Sequence, residues 1–467
     1  MSIFGSLNTA NRGLSAAQRA LDATSQNIVN ANTPGYSRQR VLLTSVGQPV
    51  TATFHTGNGV VYGGVDVADV SRIRDAFLEA TRAAAGGRQS FLESQTDILT
   101  SAQQLLSEPG ETGLQSTMDS FYASWHDLAS NPPDTAAAAV VIQRGLAVTQ
   151  QVRTVSNGIA AQWTTARDTL ADVVNRANQA TSDLAKLNEA VTAGQMAGKP
   201  VNELLDTRDT LVRSLADLVG ATSSLDAEGR LSVSVNGVSI LTGNHADPIT
   251  LIGANDISTS AADPPGLKVG TFLVPVEAGH AAGLLGTLRT DLPSLSDQVD
   301  AVATRLRDAV NGVYGQGYAS DGSTGNAFFS GTNAKDLAVV PVAGSALAIA
   351  AASGKVDGTV AGMVGDLADD QRSATALGGV DGASATWRKL TSSLGVQVQS
   401  LKTAQSVQDA VVAAADGAVQ SDAGVNLDEE MTNMMLFQRA YQASARAITT
   451  ADEIMDTLIN RTGKVGL

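Results

Sequence analysis

Apolar residues recur at helical and heptad intervals over most of the chain. Leu7, Leu14, Leu21 and Ile28 are spaced by seven, with Ala10, Ala17, Thr24 and Ala31 three residues after each, which predicts one helix over 3–31. A strict seven-residue repeat suits a partner helix wound alongside. An ordinary amphipathic helix on a globular core fits the segment equally. The run SQNIVNANTPGYSRQR (25–40) stops it. Pro34 cannot extend a helix, Gly35 permits a sharp reversal, and Asn27, Asn30 and Asn32 can satisfy the last turn's loose backbone groups.

Residues 41–74 alternate apolar and polar and read as two or three strands. Helices are predicted from Asp75 to about Leu106, over about 112–129, and from Asp134 for some sixty residues, a rod of roughly 90 Å. Its stripe runs through Val141, Val148, Val152, Val155, Ile159, Trp163, Ala166, Leu170, Val173, Ala177, Leu184, Leu187 and Val191. Lys199-Pro200 ends it and a further helix covers 201–219. From Gly220 to about Val276 the pattern turns to strands, with Asn236-Gly237 marking a hairpin between Leu231–Val235 and Val238–Ile240. Helix returns at 281–312 and from about Asp370 to Gly417; residues 313–369 read as loops with a few short strands.

The last block, 424–467, carries a second seam: Leu427, Met431, Met434, Gln438, Tyr441, Ala445, Ile448, Asp452, Met455 and Ile459. Asn426 or Asp428 can cap its start, Glu429 and Glu430 sit where the helix dipole favours anions, and Gly463 is placed as a C-cap. Two polar members weaken this seam for an isolated pair and suit an assembly of many helices. The Met431, Met434, Met435 group reads as the core of an interface between subunits.

Composition narrows the function. A net charge of −15 argues against nucleic acid as a partner, since phosphate neutralisation needs clustered Lys and Arg. No window approaches the roughly 20 apolar residues of a membrane helix, and MSIFGSLNTANRGL lacks the form of a cleaved secretory signal. The absence of cysteine removes disulfides and thiolate chemistry. With 4 % aromatic residues, a core built on large rings is not expected. His55, His126, His245 and His280 show no ligand spacing and read as surface residues. Residues 321–326 resemble a calcium loop only faintly, and Asp206 and Asp209 flank Arg208, which reads as a surface ion pair. No catalytic constellation, metal site or cofactor is expected, so the chain reads as a non-enzyme.

Both ends carry a resemblance. SQNIVNANTPGYSRQRV, through Ser25, Asn27, Ile28, Asn30, Asn32, Thr33, Pro34, Gly35 and Tyr36, resembles the N-terminal signature of the flagellar axial family of rod, hook and hook-associated proteins; Val29 stands where that signature has Ala. The block GVNLDEEMTNMMLFQRAYQASARAITTADEIMDTLIN is similar to the C-terminal end of the hook-associated branch. Weaker echoes lie at 204–219, 279–295 and 322–331.

The resemblance implies a mainly α, elongated multi-domain axial protein with a smaller β-rich part. It implies N- and C-terminal heptad helices paired at one end, a long helical middle domain and a small β-containing outer region. Residues 1–40 with 424–467 would form the terminal assembly domain. Residues 41–219 with 280–330 and 370–423 would form the middle, 220–279 a β-rich segment and 331–369 a small irregular segment. The implied function is a structural subunit of the hook–filament junction, outside the cell. It would form a ring with copies of itself and contact hook protein and hook-associated protein 3. An export chaperone would hold its C-terminal region before type III export. Leu7, Leu14, Leu21, Asn27, Ile28, Asn30, Asn32, Pro34, Gly35, Tyr36, Leu427, Met431, Met434, Tyr441, Ile448, Met455 and Ile459 are the expected assembly residues, with helices poorly ordered until neighbours join. A hook or distal-rod protein of the same family is the alternative, and a hydrolase carried on an axial scaffold a remoter one.

Overall fold

The computed structural model describes residues 3–46, 63–226, 229–341 and 346–461. His55 and Gly463 lie outside them. The protein is elongated and mainly helical. Helix α1 (Ile3–Val29) leads through the polar stop into β1 (Gln39–Ser45), which pairs antiparallel with β2 (Val65–Arg72). A register shift between Leu42 and Leu43 kinks this ribbon, which lies against α1.

Helix α2 (Ala76–Leu106) starts on the cap of Asp75, whose carboxylate accepts from the backbone of Phe77 and Leu78. Helices α3 (Leu114–Ser130) and α4 (Thr135–Met196) follow. The 62 residues of α4 span roughly 93 Å and form the backbone of the rod. The predicted stripe is its buried face, save that Leu187 is half-buried and its neighbour Asn188 fully so. Helix α5 (Asn202–Val219) folds back along α4.

The chain then builds two small antiparallel sheets. The first runs β3 (Ala221–Leu225), β4 (Leu231–Val235), β5 (Val238–Thr242) and β6 (His245–Ala246) in that order. Its β4–β5 turn is Asn236-Gly237, at φ 44° and 83°, the left-handed pair of a type I′ two-residue hairpin. The second holds β7 (Ile249–Ile252), β8 (Gly266–Val269) and β9 (Phe272–Val274). Two buried or half-buried amides of α4 fasten them to the rod. Asn188 Nδ2 donates to the carbonyls of Leu231 and Gly243, each at 2.7 Å, and Asn178 exchanges two hydrogen bonds with the backbone of Ile249.

Helices α6 (Gly279–Gly286) and α7 (Leu292–Tyr314) return to the rod through a wide π turn over 287–291. The Trp163 indole of α4 donates to the carbonyl of Leu288 in that turn at 2.9 Å. Strands β10 (Phe329–Ser330) and β11 (Ala338–Val339) form a short ribbon, and α8 (Thr359–Gly365) lies in the stretch expected to be loops. Burial of Val360, Ala361 and Val364 makes this Gly-containing segment helical, and local propensity gave no sign of it. After α9 (Asp370–Ala376), helix α10 (Ala383–Ala423) runs antiparallel along α2, with Arg82 on Asp416 and Gln89 on Asp409. Helix α11 (Leu427–Asp456) closes the described chain, and its last turns widen over 457–461.

The few rings are concentrated rather than absent from the core. Phe121, Tyr122 and Trp125 of α3, Tyr314 of α7, and Phe328 and Phe329 are buried in one cluster, with the Phe328 and Phe329 centroids 4.8 Å apart. Low overall aromatic content conceals this because one end of the rod takes a third of the rings.

Candidate assembly interface at the terminal helix pair

Helices α1 and α11 pack antiparallel. Asn27 meets Glu430, and a Cβ on Gly13 would stand 3.9 Å from the Ser444 Cβ, so fourteen residues separate the paired positions on each helix. Small residues make this approach possible. Ala16, Ala17, Ala20, Ala23 and Thr24 are buried, while Leu7, Leu14, Leu21 and Ile28 are only half-buried. On α11 the face towards this pair includes buried Glu430 and Ala451 and half-buried Met434, Phe437, Ser444, Ala445, Ile448 and Met455. Leu427, Met431, Met435, Leu436, Tyr441, Ile454 and Leu458 are exposed, as is Ile459 in the widened turn.

The polar stop is a hydrogen-bonded joint. Helix α1 ends at Val29, ahead of Pro34: Asn30 N–H makes the last i→i−4 bond, to the Gln26 carbonyl that its Nδ2 also reaches, and Ala31 and Thr33 then donate three residues back, to Ile28 and Asn30. Asn30 Oδ1 accepts from Thr33 Oγ1. Gly35 reverses the chain at φ +82°. Asn32 and Pro34 are exposed.

Asn27 does the work that the sequence left undivided among three asparagines. Its Oδ1 accepts from Gln39 N at 2.8 Å and from the Tyr36 hydroxyl at 2.9 Å; its Nδ2 donates to the Gln39 carbonyl at 2.9 Å and to Glu430 Oε2 at 3.0 Å. All four hydrogen-bonding positions of a buried amide are thereby used. Glu430, 2 % exposed, receives Arg38 on its other oxygen, with Nη2 at 2.7 Å and Nε at 2.8 Å. Arg38 also reaches Glu429 at 3.0 Å. Burial pushes the Tyr36 hydroxyl up to about 12, and the carboxylates of Asp206, Glu430 and Glu203 add to it.

A second cluster ties the joint to the rod. Arg72 Nη1 donates to Asp206 Oδ1 at 2.7 Å and Asp209 Oδ2 at 2.8 Å, and Arg74 also pairs with Asp209. Ser37 N lies 3.4 Å from Asp206 Oδ2, and Asn202 Nδ2 donates to the Val70 carbonyl at 2.8 Å. The surface ion pair expected of Arg208 is corrected here: Asp206, Arg208 and Asp209 are all buried, and the carboxylates take Arg72 and Arg74 as partners. Charges can be buried here because the cations arrive from a strand distant in sequence, which helical spacing does not reveal. Glu430 and Arg38 were missed for the same reason.

Open grooves border the joint. One of about 360 Å³ lies between α1, β1 and α11, and one of about 440 Å³ between the 31–37 turn and the end of α10. Among the described residues, no group of three or more His, Cys, Asp or Glu is placed to hold a metal. In the 321–326 stretch, Asp321 Oδ1 accepts from Ser323 N and so holds a turn.

The sequence regions that build this end match known families. The profile of the flagella basal body rod protein matches residues 7–36, and that of the flagellar basal body rod FlgEFG protein C-terminal region matches 416–461. The profile of the flagellar hook-associated protein FlgK helical domain matches 99–329. Flagellar hook-associated protein 1 of Bacillus subtilis (strain 168) is 29% identical over 100% of this chain and 99% of its own length. The protein of that name from Escherichia coli (strain K12) is 26% identical over 97% of this chain and 99% of its own. The solved flagellar hook junction protein FlgK from Burkholderia pseudomallei is similar at a TM-score of 0.47 and 21% identity, over 53% of this chain and 46% of that one.

Proposed function

We infer that this chain, which belongs to the flagellar hook-associated protein family, is a structural subunit of the bacterial flagellum at the junction between hook and filament. The observation that carries the reading is the meeting of the two terminal family matches. The α1–α11 pair brings together residues from the 7–36 and 416–461 matches, and ion pairs of Arg72 with Asp206 and Asp209 join it to the rod that bears the hook-associated helical match.

The exposed apolar flanks of α11 are the surfaces for neighbouring copies. Leu427, Met431 and Tyr441 on one flank of the α1-facing side, and Leu436, Ile454 and Leu458 on the other, are exposed, and a ring of subunits would cover them. Leu7, Leu14, Leu21 and Ile28, half-buried, and Met434, Ile448 and Met455 line the edges of the same seam. The 1–40 and 424–467 segments act as the assembly domain, the long helices as a spacer, and the small sheets as the outer part. Hook protein and hook-associated protein 3 are the flanking partners. The chain leaves the cell by the type III route, with a chaperone on its C-terminal region. Its role is mechanical rather than catalytic.

Deleting the gene tests the reading. Bare hooks, with filament protein lost to the medium, are expected; loss of the hook itself would favour the hook or distal-rod alternative and overturn this one.

A further inference from the structure

The α1–α11 interface has a weakness that its polar node repairs. The buried face of α1 is Ala16, Ala17, Ala20, Ala23 and Thr24, a nearly uniform surface of small side chains. The facing residues of α11 fall on two seven-residue rows, Met434, Ile448 and Met455 on one and Phe437, Ser444 and Ala451 on the other. Such a pair packs almost as well after one helix slides by a heptad, about 10 Å.

One contact distinguishes the positions. Only in the observed register does Glu430 lie against Asn27 Nδ2 and Arg38 together. A slide by a heptad that brings Gly13 level with Ala451 would carry this carboxylate past Val29, the end of α1, and leave Asn27 Nδ2 without its fourth partner. We propose that the Asn27–Glu430–Arg38 node is the register lock of the terminal helix pair: Glu430 is a positioning residue that selects one of several near-equivalent helix alignments and thereby sets the height along α1 at which the exposed apolar residues of α11 stand. A buried polar group that fixes register in an otherwise degenerate helical seam is a known physical device. The lock is intramolecular, so it stands whether or not the chain works at a hook–filament junction.

The chain has no cysteine, so a single engineered pair reports the register directly. Gly13→Cys with Ser444→Cys brings two Cβ atoms to about 3.9 Å, within disulfide range. Gly13→Cys with Ala451→Cys closes only after a one-heptad slide. Each pair is oxidised in the full-length chain, free and incorporated into flagella, and helix content is followed by circular dichroism. In the parent, the first pair forms and the second stays at background.

Glu430→Met, which keeps helix propensity and removes the carboxylate, raises the ratio of shifted to native cross-link by about tenfold or more, as the loss of a charged hydrogen bond implies. Glu430→Gln, which still accepts from Asn27, returns the ratio to near the parental value. The proposal is overturned if Glu430→Met leaves the ratio unchanged. It is also overturned if Glu430→Met abolishes both cross-links, since the node would then supply stability alone, or if the parent forms no native cross-link in either state.

Discussion

Asn27 Nδ2 donates to Glu430 Oε2 at 3.0 Å across 403 residues of sequence. The bond joins the first described helix to the last, and the same asparagine holds the strand that leaves the joint. Chain reversal and helix pairing are therefore one structure.

Asn27→Ala would strand the Gln39 backbone groups, the Tyr36 hydroxyl and half of the Glu430 carboxylate. Each orphaned buried group costs about 1–3 kcal/mol, so the terminal module should lose about 2–4 kcal/mol after partial relaxation. Hydrogen exchange of the α1 and β1 amides measures it in the state where parent α1 is protected. A change within about 0.5 kcal/mol would show that the node is not a linchpin.

Gly35 is required twice over. Its φ is +82°, and a Cβ would come within 2.5 Å of Thr210 Oγ1. Gly35→Ala should cost about 1–3 kcal/mol in urea unfolding. Adding Thr210→Ala should recover the contact part and leave the backbone part. Pro34→Ala should change stability by less than about 0.5 kcal/mol, because Pro34 is exposed and α1 has already ended at Val29.

The Tyr36 hydroxyl makes the joint alkali-sensitive. Its pKa is raised from 10.0 to about 12, so the folded chain holds the proton more tightly than the unfolded chain. The resulting stability is complete below pH 10 and is lost as pH rises through about 12. Parent and Tyr36→Phe should differ in unfolding midpoint below this window and converge above it. Tyrosinate absorbance should show one group fewer titrating late in the variant.

How much of this was legible follows from what each pattern encodes. The long helices were readable because apolar residues at three- and four-residue steps over 62 residues admit no other regular structure. The Asn236-Gly237 hairpin was readable because two consecutive left-handed residues are chemically demanding. The face of α11 that meets α1 was not. With alanines opposite, the apolar period marks a stripe without saying which edge of it lies inside, and Glu430 looked like a dipole-compensating surface charge. The Arg72–Asp206–Asp209 cluster was hidden likewise, since pairing between a strand and a helix more than 130 residues apart leaves no local spacing to read.

The sheets should depend on one amide of α4. Asn188 is buried and serves Leu231 N, Leu231 O and Gly243 O. Asn188→Ala should cost about 2–4 kcal/mol and raise hydrogen exchange across β4 and β5 while leaving α2 and α10 protected. Unchanged exchange in β4 would contradict this anchoring.

The central claim is a place: the chain belongs between hook and filament. Met196 at the end of α4 is 85% exposed, and the sequence has no native cysteine, so Met196→Cys carries a unique gold label. Electron microscopy of labelled flagella should show gold in a single narrow band where hook meets filament. Label spread along the hook, or confined to the rod, would contradict the account.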